Sequence, residues 1–143
     1  MNDKFNIACQ KFLDGYWIES YSLFNEFIDS TPEGDLVDDA LLNLGLLSIV
    51  LGNPDKAETY FLKVIQEFSE ADIDTNFSNT EVGKSSLKAA FHLVEIALAR
   101  GDGDTAKGIF EELLLGSDQN SGILRNNSVV SYTELAKSKI LAG

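Results

Sequence analysis

Apolar positions along the chain recur in a fixed register around three glycines. Counting 5, 9, 12 and 17 residues downstream, Gly15 leads to Ser20, Phe24, Phe27 and Pro32; Gly52 leads to Ala57, Phe61, Val64 and Ser69; Gly101 leads to Ala106, Phe110, Leu113 and Asp118. A small residue, a phenylalanine, an apolar residue and a helix-ending residue thus return three times. At 8 and 7 residues upstream stand Ile7 and Ala8, Leu44 and Gly45, Leu93 and Val94, a large apolar residue beside a smaller one. This register predicts a helix, a tight turn at the glycine and a second helix, in units of about 34 residues. The glycines suit a left-handed C-cap, and Pro54 suits the first turn of a second helix, where its missing N–H costs nothing. Small Ser20, Ala57 and Ala106 let paired helices approach closely, and Phe24, Phe61 and Phe110 fill the space between a pair and its neighbour. Neither helix can bury its apolar face alone, so the units must stack.

On these residues the chain resembles the tetratricopeptide repeat (TPR) family, with units at about residues 1–34, 38–71 and 87–120. The second unit follows the family pattern best, through Ala40, Leu41, Leu44, Gly45, Gly52, Ala57, Tyr60, Phe61 and Ser69. The first departs at Lys4, Ala8, Lys11 and Ser20, and the third carries Val94 where the pattern favours glycine. The resemblance implies one all-α domain over residues 1–143, a right-handed α-solenoid with a concave groove that holds a protein segment.

Two stretches lie outside the register. Residues 72–86 carry Asp72, Asp74, Asn76, Ser78 and Asn79 and read as a loop insertion, with Ser78 and Glu81 spaced as a capping box that starts helix five early. From about Asn127 to Leu141, Val129, Val130, Tyr132, Leu135, Ala136 and Ile140 recur at roughly helical spacing. That pattern predicts a seventh, capping helix at about 127–141 that covers the open end of the last repeat with Val130, Leu135 and Ile140.

Charge adds a restriction on partners. Eleven basic against 23 acidic residues give a net charge of −12, a field that repels phosphate backbones and disfavours nucleic acid. No basic residue stands between Lys11 and Lys56, while nine acidic ones do; the simplest reading is a solvated face, and the alternative is a patch that steers a basic partner. The single cysteine, Cys9, excludes an internal disulfide and fits a reducing compartment. With neither a membrane-length apolar run nor a signal-peptide pattern, the expectation is a cytoplasmic protein without membrane attachment.

Signals for catalysis or cofactors are thin, and the chain is expected to be neither an enzyme nor a cofactor or metal binder. It has no Gly-rich phosphate loop, nucleophile elbow or cysteine pair, and its one histidine, His92, has Glu95 three residues on, which is short of a metal site. Asp72-Ile73-Asp74-Thr75-Asn76 opens like a calcium loop, but Phe77 occupies the tight-turn glycine position and Gly83 the bidentate glutamate position.

Binding is the stronger theme. The 100 degree helical step places Phe5, Cys9, Leu42, Asn43, Leu46, Lys88, Phe91, His92 and Glu95 on the face of each first helix that would line the groove, with Asp39 beside them. The expected function is therefore a non-catalytic scaffold that holds an apolar or amphipathic protein segment, with a basic partner favoured. Two alternatives use the same surface. One is a homodimer through the groove or through helix three, which is apolar nearly all round and needs cover. The other is suggested by the family's chaperone-tail carboxylate clamp, whose positions Asn43, Lys88 and His92 match, although Phe5 and Cys9 stand where that clamp has lysine and asparagine.

Overall fold

The computed structural model describes residues 3–31, 34–75 and 80–143. Its order is α1 (Asp3–Leu13), α2 (Trp17–Ser30), α3 (Val37–Val50), α4 (Pro54–Glu67), β1 (Glu81–Val82), α5 (Ser85–Ala99), α6 (Gly103–Ile109), β2 (Gly122–Arg125), β3 (Ser128–Ser131) and α7 (Tyr132–Ala142). A π-helical turn, Phe110–Leu114, prolongs α6. Consecutive helices from α1 to α6 pack on one another, and α7 lies against α5 and the π-helical turn. Among the described residues, no helix is long and apolar enough to cross a membrane.

Each predicted turn glycine takes the left-handed backbone: φ is +84° at Gly15, +84° at Gly52 and +75° at Gly101. The hydrogen bonds are the same three times. Three residues past each helix a backbone N–H reaches back five residues, Tyr16 to Lys11, Asn53 to Ser48 and Asp102 to Ala97, closing a Schellman motif. The next helix starts at once, with the side chains of Asn53 and Asp102 accepting the N–H groups of Lys56 and Thr105.

Small residues do what their positions predict. Ala8, Ser20, Ala57, Val94 and Ala106 are fully buried, and Ser20 Oγ donates to the Ala8 carbonyl at 2.8 Å, pinning α2 to α1. Gly45 is tightest: a Cβ there would lie 2.5 Å from Cζ of Phe61, so the phenylalanine of α4 fills the space that glycine leaves. Phe110 departs from its counterparts Phe24 and Phe61, since it opens the π-helical turn and is only half-buried.

The all-α expectation needs correction, because the two stretches outside the repeat register pair with each other. β1, β2 and β3 form an antiparallel sheet in that order, with Glu81 opposite Ile123 and Gly122 opposite Ser131. The chain from Asp72 also runs back along Lys84, with the Ile73 N–H donating to the Gly83 carbonyl at 2.7 Å. Helix α5 begins at Ser85, and Glu81 is in a strand, not a helical cap. Ser78, its expected capping partner, lies outside the described residues, as do Asn76, Phe77 and Asn79.

The predicted capping helix exists but begins at Tyr132, not near 127. Asn126 and Asn127 have φ of +50° and +65°, the two-residue turn whose twist matches a hairpin. Val129 and Val130 therefore belong to β3, and Ser131 caps α7 by accepting the Glu134 N–H. Tyr132 and Ala136 are buried, with Leu135 and Ile140 partly buried on the same core.

That core is one of two. The first joins α1 to α4 with Ala89, Leu93 and Ile96 of α5; the second gathers Ala90, Phe91, Val94 and Ala97 of α5 with Leu114, Tyr132 and Ala136. Gly45→Ala is expected to lower the stability of the first core by about 1–3 kcal/mol in a urea titration, the usual cost of overpacking. Adding Phe61→Leu should recover part of that loss. An unchanged midpoint for the single variant would show that the Phe61 ring has room to withdraw.

Candidate functional site

Residues of α1 and α3 face a common space, and the segment around residues 73–74 and 80–81 borders it. Together they enclose a cavity of about 220 Å³. Its wall contains Phe5, Cys9, Leu42, Asn43, Leu46 and Lys88, six of the nine side chains selected from helical spacing, joined by Phe12, Leu13 and Asp39. Ile73, Asp74, Thr80 and Glu81 come from the crossing segment, which sequence periodicity left as a loop. The insertion thus narrows the groove and leaves an opening, with Leu13, 67% exposed, on its rim.

The other three selected residues are elsewhere. Phe91 is buried in the second core, its ring centroid 5.7 Å from that of Tyr132. His92 stacks on Phe61 at 5.3 Å, and its Nδ1–H donates to Glu95 Oε1 at 2.7 Å. Glu95 also meets Lys139 at 2.9 Å and lines a wider depression of about 940 Å³ among α5, α6 and α7, where Arg100 and Lys107 add positive charge. Among the described residues no group of three potential ligands could hold a metal. The clamp positions Asn43 and Lys88 share the cavity, but His92 is turned onto Phe61 and does not line it.

The crossing segment is held by polar bonds. Lys88 Nζ donates to Glu81 Oε1 at 2.7 Å, and Tyr132 Oη donates to Glu81 Oε2 at 2.6 Å, so one carboxylate ties β1 to both α5 and α7. Burial alone would raise the Glu81 pKa; the Lys88 ammonium outweighs it and, with the bonds from Lys88 and Tyr132 and the nearby His92, holds the carboxyl below its usual value. Burial, reinforced by the Glu81 charge, pushes the Tyr132 phenol up. Earlier in the crossing segment the Asp74 N–H donates to Asp39 Oδ1 at 3.0 Å.

Two of the nine acids in the base-free stretch are buried, contrary to a wholly solvated face. Asp38 is 1% exposed and accepts the Ser85 hydroxyl, linking the N-terminal turns of α3 and α5. Burial nevertheless raises its pKa against that bond and two backbone N–H bonds. Asp39 is 7% exposed, and its second oxygen, Oδ2, has no hydrogen-bond partner among the described residues. Burial first and the Asp38 charge second push its carboxyl up to about 7, against the opposing effects of the Asp74 N–H and the Lys88 ammonium. Cys9 across the cavity is raised to about 12 by burial and by the charges of Asp39 and Asp74, so its thiol is neutral and unreactive.

No protein-family model and no curated protein matches the chain.

A raised carboxyl favours folding while it is protonated. Below its unfolded value near 4 Asp39 costs nothing; as pH climbs from there through about 7, the unfolded chain ionises more readily and stability falls. Asp39→Asn keeps the acceptor for Asp74 and removes the titration. Its melting temperature should therefore exceed that of the wild type at about pH 8 and converge with it near pH 4. A parallel offset at both pH values in differential scanning calorimetry would mean that Asp39 does not titrate in this window.

Proposed function

We propose that the chain is a non-catalytic interaction module, a tetratricopeptide-like stack in the cytoplasm that holds an apolar or amphipathic segment of a protein partner. The observation that carries the reading is the cavity lined from α1 and α3, whose wall is mainly apolar through Phe5, Phe12, Leu13, Leu42 and Leu46. An apolar concavity with a few polar groups is the usual form of a recognition site. Three repeated Schellman turns and the close fit of Gly45 on Phe61 support the solenoid part of the proposal. The net charge of −12 favours a basic partner over a nucleic acid or an anionic membrane surface.

Self-association is the second reading, and exposed Leu13, Tyr16, Trp17 and Ile18 around the first turn favour it. Its earlier premise, the need to cover helix three, has lost force: α2, α4 and α5 pack on α3 within the chain. Sedimentation separates the readings, since a monomer at tens of micromolar removes the dimer.

Leu46 is the position at which to test the groove, because it is half-buried on the cavity wall while Leu42 is almost fully buried. Peptides selected from a random displayed library against the wild type should share apolar residues at helical or alternating spacing. On Leu46→Asp they should lose at least about tenfold in affinity, roughly 1.4 kcal/mol, with helical circular dichroism retained. Selected peptides that bind the variant equally well would place recognition on another surface and reject the groove.

A further inference from the structure

The proposed groove has a chemical bias that its apolar walls do not explain. Asp39 stands in the first turn of α3, on the cavity wall, more than nine-tenths buried, with Oδ1 engaged by Asp74 and Oδ2, shielded from solvent just beneath the wall, without a hydrogen-bond partner among the described residues. A buried carboxylate oxygen left unpaired is costly, and native proteins seldom keep one without a use for it. Cations are scarce on the same wall. Among the described residues Lys88 is its one basic side chain, and the Lys88 ammonium is already bonded to Glu81 at 2.7 Å. With Lys88 held by Glu81, Asp39 has no direct ion pair with a base among the described residues of that wall.

Resting on the groove reading above, we propose that the cavity takes the basic side chain of an amphipathic partner segment, the guanidinium or ammonium group compensating Asp39 and the methylene stem lying among Phe5, Leu42 and Leu46. A lysine or arginine fits both halves of the site, since its stem is apolar and its head is charged. A carboxylate or phosphate does not, because it would add a further anion beside Asp39. Cys9 offers no competing charge, its thiol being neutral. Apolar residues flanking the basic one in the partner would meet Phe12 and Leu13 toward the rim.

Binding of a cation requires Asp39 to ionise, so it must release a proton wherever the free protein still holds one. Asp39 is pushed up to about 7, which places that release in an accessible range. The groups that bear on it are Asp38 on the same helix, Asp74 and Glu81 on the crossing segment, Lys88 on α5 and the thiol of Cys9 on α1. Affinity for a permanently charged ligand should therefore increase as pH rises through neutrality.

The probes are n-butylguanidinium and n-butylurea, which share shape and stem and differ in charge; the guanidinium keeps its proton throughout. Titrations of the full chain are followed by amide chemical shifts of α1, α3 and residues 73–74. At about pH 8 the guanidinium should bind about tenfold more tightly than the urea, in line with a charge-assisted bond. That preference should shrink severalfold at about pH 5.5 and in Asp39→Asn at either pH. Equal binding of the two probes at the higher pH, or a preference unchanged by pH, overturns the cationic anchor and leaves the apolar groove standing. Failure of both probes to move the cavity amides, up to tens of millimolar, overturns the anchor and counts against the groove as well. The wild-type pH series decides the matter even if Asp39→Asn folds poorly.

Discussion

Helix α5 has to be covered on two sides. Ala89, Leu93 and Ile96 pack with α1 to α4, while Ala90, Phe91, Val94 and Ala97 pack with residues from the last third of the chain. Fully burying one Val, Leu, Ile or Phe side chain is worth roughly 1.5–3 kcal/mol, comparable to a sizeable fraction of the 5–15 kcal/mol that stabilises a typical domain. The second face must therefore be closed by something, and α7 closes it. Tyr132 lies on Phe91, and its hydroxyl reaches out of that core to Glu81. Covering α5 in this way also sets the sheet, because β3 runs directly into α7 and brings β2 alongside β1.

Glu81 carries this arrangement into the groove. It lines the cavity through β1 and is bonded from both sides, by Lys88 of the stack and by Tyr132 of the cover. The Lys88 ammonium is engaged where the sheet begins. Such a half-buried ion pair with a third hydrogen bond gains from the reduced dielectric, although removing one partner strands the other. The position of the crossing segment thus depends on packing far from the cavity. Gly122 belongs to the same chain of dependence: a Cβ there would collide with the Val130 carbonyl, so the strand pairing that locates β1 requires glycine at that point.

The helical part of this fold was legible because its signals are local and repeated. Gly15, Gly52 and Gly101 announce the same turn, and Ala57 with Phe61 announces the same contact as Ser20 with Phe24. The sheet was harder to read, since its strands are two to four residues long and β1 lies some 40 residues from β2. Hydrophobic periodicity cannot register so short an element. Two signals were available: Asn126-Asn127 between Ile123-Leu124 and Val129-Val130 is a hairpin turn pattern, and Ser131 with Glu134 three residues on is a capping-box pattern that places the start of α7 correctly. The groove face was legible for α1, α3 and the start of α5. Phe91, His92 and Glu95 were placed there by the 100 degree step alone, which is blind to a following helix that packs on the same face.

Asp39 illustrates what spacing could not convey. Its position on the groove face follows from the helical register, but its burial comes from a contact 35 residues away, where the Asp74 N–H closes over it. An acid in the first turn of a helix gains from the positive end of the helix dipole, and two adjacent ones, Asp38 and Asp39, share that benefit. The gain is largest in water-poor surroundings, yet it does not extend to an oxygen without a donor, whose desolvation costs on the order of 1–3 kcal/mol. Asn at the same place would keep the bond to Asp74 and dispense with the charge. A leucine or methionine would pack the wall against Phe5 and Leu46 and dispense with the polarity altogether. The chain thus carries the costlier residue at a point of the cavity wall where either replacement would pair or pack at lower cost.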